Sequence, residues 1–323
     1  MNERTELEIS VVVPTYNRRE LLSRTLRALF AQQLAPSRFE IIVVIDGSTD
    51  GTAHALRALS PGCGFRVIEQ ENRGPAAARN AGYRAAQADR VLFLDDDMIC
   101  VPGLIEEHLI AQQSHERTLV YGRVLLSEES PGSLGGECFN RELGSRYRIS
   151  DQKKGRDWLK SECIFSNASI PVKLLESVGG FDEAFRMRED LELGIRLFQW
   201  GADARYADRA IAYQYYDKTT ADLIKDAEVF ATGDLLLAEK YPDRIVKGQV
   251  AWLRQVKGWK RFLNRIAAGW PTLGDLALAP LCYLAEAFPR VPRVRNAGVC
   301  ALILRRRIHW LHKLEKLGAL KTK

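Results

Sequence analysis

A chain of 323 residues, 46% hydrophobic and 27% charged, has an ordinary globular composition and is long enough for one large domain with an appendage. Its net charge of +6 is unevenly held: residues 244–323 carry 17 Lys or Arg against 3 Asp or Glu, a balance of +14, and the remainder stands at −8. Six cysteines (Cys63, Cys100, Cys138, Cys163, Cys282, Cys300) form no Cys-x-x-Cys pair and have no His at zinc spacing, which argues against a structural zinc site and for reduced thiols in a cytosolic protein.

Met1 to Glu8 is polar and lacks the apolar run of a signal peptide. Ile9 to Val13 is a β-branched run closed by Pro14 and reads as a buried strand, with Thr15, Tyr16 and Asn17 as the loop after it. Arg19 to Leu34 has helical spacing, with Leu22, Leu26, Leu29 and Phe30 on one side. Ile41 to Ile45 is a second strand that ends in the turn-rich Asp46-Gly47-Ser48-Thr49-Asp50-Gly51. A short helix over Thr52 to Leu59 and a strand over Phe65 to Ile68 follow, then Asn72-Arg73-Gly74-Pro75 and a helix from Ala76 to Ala86. Val91 to Leu94 is the fourth strand, and it runs directly into Asp95, Asp96 and Asp97.

Four strands alternating with three helices predict an α/β fold around a mainly parallel, doubly covered sheet. Polar residues then stand at the carboxyl end of three strands: Thr15 and Tyr16, Asp46, and the Asp95 to Asp97 triplet. In open α/β sheets ligands bind at that edge. Three adjacent carboxylates repel one another, and a divalent cation would relieve the repulsion; oxygen ligands alone favour Mg²⁺ or Mn²⁺. An acidic loop capping the next helix is the plainer alternative. No Gly-x-Gly-x-x-Gly follows the first strand, which argues against a hydride-transferring dinucleotide enzyme.

Beyond the triplet, Leu104 to Gln113 reads as a helix and Leu119 to Leu126 as a strand. Ser127 to Lys160 mixes Gly, Ser and charges and reads as a long surface excursion. Ile164 to Ile170 reads as a strand ending at Pro171. Gly179-Gly180-Phe181-Asp182-Glu183 precedes a helix that starts near Arg188 and runs to Trp200. Glu189 and Asp190 lie in its first turn, as helix-dipole partners or as a general base facing the crevice.

Taken together, these residues resemble glycosyltransferase family 2, inverting nucleotide-sugar-dependent enzymes with the GT-A fold. The matching pieces occur in the family's order over residues 8–215: Val11 to Arg18, Asp46 to Gly51, Asn72 to Asn80, Asp95 to Asp97, and Gly180-Phe181-Asp182-Glu183 with Glu189-Asp190. The resemblance implies a GT-A catalytic domain over residues 1–217, with residues 218–323 as a helical, basic, membrane-associating region or a packed appendage. It implies that Pro14, Thr15 and Tyr16 line the nucleobase pocket and that Asp46 bonds the base. Arg79, Asp95 and Asp96 would complete the donor site, Arg79 as a phosphate partner or else as a solvated helix residue. Asp97 and Asp95 would hold Mg²⁺ or Mn²⁺. Asp190, beside Glu189, would be the catalytic base that deprotonates an acceptor hydroxyl in a single inverting displacement. The donor would be a nucleotide sugar, a UDP-sugar first, and the acceptor a glycan or lipid-linked molecule of cell-surface polysaccharide or glycolipid synthesis. A scaffold subunit without catalysis and a nucleotidyltransferase are the rival readings.

Two departures stand out. Many members place a metal-binding His near the end of the catalytic domain, where this chain reads Ile211-Ala212-Tyr213-Gln214-Tyr215-Tyr216; the five His residues (His54, His108, His115, His309, His312) read as surface or packing residues. The Gln-x-x-Arg-Trp motif of processive synthases is absent, Gln255 to Trp259 being a near miss, so transfer of one sugar or few is expected. In the tail, Leu223 to Lys240 reads as a helix, and beyond it Trp252, Lys257, Trp259, Lys260, Arg261, Phe262, Arg265 and Trp270 interleave basic and aromatic residues. Neither Leu276 to Phe288 nor Val299 to Leu304 reaches the ~20 residues of a membrane span. The tail therefore reads as a segment peripheral to the cytoplasmic face of an anionic inner membrane, or as a helical appendage packed on the body or a second subunit. It carries no recognisable nucleic-acid module.

Overall fold

The computed structural model describes residues 7–113, 117–152, 164–242, 264 and 268–319, with the backbone alone at 145–152. His115, Cys163, the Gln255 to Trp259 near miss and the basic-aromatic stretch from Trp252 to Arg265 lie outside the described residues.

An eight-stranded sheet carries the larger part of the chain. Its first block is β1 (Ile9–Thr15), β2 (Phe39–Asp46), β3 (Gly64–Gln70) and β4 (Arg90–Leu94), all parallel, with β1 between β2 and β4. The chain steps outward from β1 to β2 and β3, then returns to the other side of β1. In open α/β sheets such a reversal marks the ligand-binding edge, which here falls at the carboxyl ends of β1 and β4.

The near-continuous apolar strands follow from two-sided burial. On one face Val11, Val13, Ile41, Val43, Leu92 and Leu94 meet Leu22, Leu26 and Leu29 of α1 (Arg19–Phe30) and Leu104, Ile105 and Leu109 of α4 (Leu104–Gln112). On the other, Val12, Ile42, Val44, Val91 and Phe93 meet Ala76, Ala78 and Tyr83 of α3 (Pro75–Ala85) and Leu193 and Leu197 of α7 (Glu189–Gln199). Gly82 lets α3 close on the sheet: a Cβ there would lie 2.2 Å from Val12 Cγ1. Between β2 and β3 lies the short α2 (Thr52–Arg57).

The rest of the sheet is mixed, in the order β3-β2-β1-β4-β7-β6-β8-β5. β7 (Asn167–Pro171) runs antiparallel to both β4 and β6 (Thr118–Leu126), and leads into α6 (Val172–Ser177). β8 (Asp203–Gln214) is parallel to β6 with a bulge at Gly122/Arg123, and ends beside β5 (Met98–Cys100), pairing Gln214 with Met98. This pairing sets Gln214 next to the acidic triplet.

One expectation is corrected. The stretch read as a surface excursion contains a 19-residue helix, α5 (Leu134–Gln152). Its Gly135, Gly136 and Gly144 lower helix propensity and hid it. Packing reverses the preference: Leu134 and Cys138 are buried, and a Cβ at Gly135 would lie 2.4 Å from the Lys218 carbonyl oxygen.

The chain divides into two compact units, residues 1–128 with 143–215 and residues 129–142 with 216–323. In the second unit α8 (Thr220–Lys240) opens with a capping box: Thr219 Oγ1 accepts from the Asp222 amide (3.2 Å) and the Asp222 carboxylate accepts from the Thr219 amide (2.9 Å). α9 (Pro271–Ala287) and α10 (Pro292–Lys316) approach closely at Gly298, where a Cβ would lie 2.2 Å from that of Ala285. Among the described residues, part of the tail's positive charge is paired within this unit. Arg295 binds Glu137, Arg305 binds Asp275 (2.8 Å) and Arg306 binds Glu142 (2.6 Å). Among the described residues no helix is long and apolar enough to cross a membrane. The five described cysteines are free thiols.

Candidate active site

The site grows from the end of β4. Asp96 and Asp97 are 4% and 5% exposed, so their charges need partners inside the protein. Asp96 has several: Thr15 Oγ1 donates to its Oδ2 (2.7 Å), Arg18 Nη1 donates to its Oδ1 (2.9 Å), and Thr25 Oγ1 donates to its carbonyl (2.8 Å). Thr15 thereby ties the ends of β1 and β4 together. Asp97 has fewer. Its Oδ2 accepts from Arg18 Nη1 (3.1 Å) and Gln214 Nε2 (3.1 Å), and its carbonyl accepts from the Tyr215 amide (2.8 Å). Its other carboxylate oxygen, Oδ1, is buried without a hydrogen-bond partner. Burial, with Asp95 and Asp96 adding repulsion against the attraction of Arg18, pushes the Asp97 carboxyl up to about 7.

The second half of the site is joined to the first by Arg79. This residue is buried; it is not a solvated helix residue. Its Nη2 donates to Asp95 Oδ1 (2.9 Å) and its Nη1 to Glu189 Oε1 (2.7 Å). One guanidinium from α3 thus bridges the acidic triplet and the first turn of α7. Asp190 follows Glu189, keeps partial solvent access and accepts from the Leu191 amide (2.7 Å). Burial and the neighbouring Glu189 charge push its carboxyl up to about 7, against the pull of Arg79. Arg188, just before this pair, has φ 72°, and Asn17, just before Arg18, has φ 52°. Among the described residues these are the non-glycine positions with positive φ, and each costs about 1–3 kcal/mol. Both directly precede charged residues of the site.

Asp46, at the end of β2, is buried and held by its own chain. Its Oδ1 accepts from Gln70 Nε2 and the Arg73 amide, and its Oδ2 from the Gly74 amide, each at 2.8 Å. Asp46 therefore shapes the loop from Asn72 to Gly74. Gly47 (φ 77°) is required there, since a Cβ would lie 2.7 Å from the Asn72 amide nitrogen. Asn17 latches the first loop to the second, its Oδ1 accepting from the Thr49 amide (2.7 Å). Pro14 is partly buried in β1, while the ring of Tyr16 is 49% exposed beyond the strand end. In the middle of α3, next to Arg79, Asn80 holds the Gly180-Phe181-Asp182-Glu183 turn: its Nδ2 donates to the Phe181 carbonyl and to Glu183 Oε1, both at 2.9 Å.

The structure thus draws Thr15, Asp95, Asp96, Asp97, Arg79, Glu189 and Asp190 into one connected charge network. Sequence reasoning missed Arg18 and Thr25, and it treated Gln214 only as the residue standing in for a His. Arg18 carried no local signal, because the expected divalent cation already accounted for the charge of the triplet.

A divalent cation fits this arrangement in a limited way. Among the described residues no group of three or more His, Cys, Asp or Glu side chains is placed to hold a metal. The unpartnered Asp97 Oδ1 is an oxygen donor of the kind Mg²⁺ or Mn²⁺ takes, and such ions keep most of their shell for water and substrate phosphates.

The family model of glycosyl transferase family 2 matches residues 10–179. The validoxylamine A glucosyltransferase of Streptomyces hygroscopicus subsp. limoneus is 32% identical over 220 residues, covering 60% of this chain and 48% of that protein. The chain spans about half the length of this and the similar Streptomyces relative it matches. Among solved structures, the mannosyltransferase PcManGT from Pyrobaculum calidifontis, in complex with GDP-Man and Mn²⁺, aligns with TM-score 0.57 at 19% identity over 92% of this chain and 85% of its own. S. aureus TarS 1-349 in complex with UDP aligns with TM-score 0.53 at 19% identity over 96% and 92%. At these identities the likeness shows the fold, which is GT-A.

Proposed function

The chain belongs to glycosyl transferase family 2, and from that premise we propose that it moves a sugar from a nucleoside-diphosphate donor to an acceptor hydroxyl, with inversion at the anomeric carbon. The observation that carries this reading is the Arg79 bridge. It places a carboxylate pair suited to base chemistry beside a carboxylate triplet suited to a diphosphate and its metal, in one network.

The geometry supports the following roles. The exposed Tyr16 ring, with Pro14 and Thr15, offers a face on which a nucleobase can stack. Asp46 acts on the base mainly through the loop it holds, because three protein donors already occupy it. Asp97, with Asp95, would hold Mg²⁺ or Mn²⁺, and Asp96 is fixed by Thr15 and Arg18. When bound, the cation would neutralise charge on the departing nucleoside diphosphate. Asp190, with its carboxyl near 7, accepts the proton of the attacking acceptor hydroxyl. Arg79 keeps Glu189 paired, so that Asp190 alone of the two is free to take a proton. No dedicated nucleophile is needed for a single displacement.

We assign a UDP-sugar as donor and a glycan or lipid-linked acceptor of polysaccharide synthesis. Peripheral association with an anionic membrane is supported by one feature of the second unit. Trp270, Leu273, Leu276, Tyr283, Leu284 and Phe288 of α9 and its flanks are exposed, with Arg290 and Arg293 exposed beside them. Co-sedimentation with phosphatidylserine vesicles at low salt, lost in Leu276→Glu, checks this; equal sedimentation of both proteins overturns it. Product analysis tests the catalytic reading. Free nucleoside diphosphate is expected, pyrophosphate would indicate nucleotidyl transfer, and neither would indicate a scaffold.

A further inference from the structure

Beyond fixing Asp96, Arg18 has no role in the scheme above, yet its placement runs against the preferences of a helix N-terminus. It is the N-cap residue of α1, where a Ser, Thr, Asp or Asn would bond the first helical amides and where a cation faces the positive end of the dipole. Its side chain makes no cap bond. The left-handed backbone of Asn17, fastened to the Thr49 amide, turns the chain just before it. The guanidinium then reaches across to the end of β4 and divides one nitrogen between Asp96 Oδ1 and Asp97 Oδ2. It is 32% exposed, so unlike Arg79 it has room to move. Asp97 meanwhile keeps one buried oxygen that nothing satisfies.

We propose that Arg18 is a resident cation of the Asp96–Asp97 pair: it weakens divalent-metal binding by the free protein and makes that binding depend on the donor diphosphate. This inference rests on the assignment of Asp97 as a metal-holding carboxylate. With both carboxylates ionised, as metal binding requires of Asp97, Arg18 reduces the net charge of the pair from −2 to −1, and an incoming Mn²⁺ meets a positive charge next to its ligand. A diphosphate changes the balance in two ways. It brings new negative charge for the metal, and it offers the mobile guanidinium a second anion with which a planar fork pairs well. Metal and diphosphate therefore strengthen each other's binding, and by linkage the factor is the same in both directions. Arg18 is a positioning residue in this scheme, acting through Asp97.

The test is Mn²⁺ binding by the full-length protein, read by electron paramagnetic resonance of the free ion, with and without saturating UDP or GDP. For the wild type, weak binding of Mn²⁺ alone and strong enhancement by nucleotide are expected. Arg18→Gln should bind Mn²⁺ alone about tenfold more tightly, equivalent to ~1.4 kcal/mol, and should lose most of the enhancement. Arg18→Lys, which keeps the charge, should behave like the wild type. Should Arg18→Gln fold weakly because Asp96 and Asp97 lose their partner, Mn²⁺ alone should raise its melting temperature while leaving the wild type unmoved. If the wild type shows enhancement but Arg18→Gln binds Mn²⁺ alone no better and is not rescued by it, the inference about Arg18 is wrong and the metal assignment stands. If the wild type binds no Mn²⁺ even with nucleotide, both fall together.

Discussion

Replacing Asp190 by Asn should sharply reduce transfer and at the same time stabilise the protein, and the second effect is the more discriminating. In the native fold the Asp190 carboxyl sits near 7, against 3.8 for an ordinary Asp, because burial and the Glu189 charge disfavour its ionised form. Between those values the folded protein holds a proton that the unfolded chain has lost. Native stability therefore falls as pH rises from about 4 through about 7, and the full cost is present above 7. A tenfold change in proton affinity is ~1.4 kcal/mol, so the rise from 3.8 to about 7 caps the cost near 4 kcal/mol. Partial solvent access at Asp190 reduces this to roughly 2 kcal/mol. Asn has no charge to bury, so Asp190→Asn should gain about 2 kcal/mol at pH 8 and almost nothing at pH 4. For a unit of this size that is about 5 °C in melting temperature. Transfer should drop about 10²–10⁴-fold. The wild-type kcat/KM should rise with pH through about 7, since the base must be ionised, and the residual rate of the variant should lack that rise. The assays are nucleoside-diphosphate release and thermal melts from pH 4 to 8. A variant with near-normal turnover, or one no more stable than the wild type at pH 8, would refute the reasoning.

Arg79→Met removes the partner of Glu189 and Asp95 and should destabilise the unit by about 3 kcal/mol in urea, with Arg79→Lys recovering part of the loss; a change under about 1 kcal/mol would deny the bridge its weight. His108 lies fully buried between Ser169 Oγ (3.0 Å) and Asn167 Oδ1 (2.8 Å), and burial holds its imidazole down at about 4. The unfolded chain takes up that proton near 6.5, so stability should fall as pH drops from 6.5 toward 4, by up to about 3 kcal/mol. His108→Gln should flatten that part of the curve, and an unchanged slope would place the acid sensitivity elsewhere.

What could be read in the sequence was what each residue does locally. The runs Val11 to Val13, Ile41 to Ile45 and Val91 to Leu94 are buried on both faces, so their apolar continuity identifies them, and the polar residues ending them mark the crevice. The positions of the triplet after β4 and of Asp190 in the first turn of α7 were legible from the motif order. Other elements depended on partners distant in the chain. β8 intersperses small Ala with charged residues and finds its register against β6, across the bulge at Gly122/Arg123, and against β5. α5 is held by packing that its glycines permit. The same holds within the site. Nothing near Asp46 shows that it will spend its oxygens on the Arg73 and Gly74 amides. Nothing near Arg18 shows that it will lie on Asp96 and Asp97, 78 and 79 residues away. His108 read as a packing residue, and the structure adds that it ties α4 to β7 through two polar bonds.

The most direct test of the central claim is the thermal stability of the wild type and Asp97→Ala with UDP or GDP, each with and without Mn²⁺. A ligand held only by the folded state adds about 2.7 kcal/mol at a hundred times its Kd. The wild type should be stabilised by one nucleoside diphosphate, and more strongly with Mn²⁺, while Asp97→Ala should lose the Mn²⁺-dependent part. No stabilisation by either nucleotide, or the same Mn²⁺ effect in both proteins, would contradict a donor site built on the end of β4.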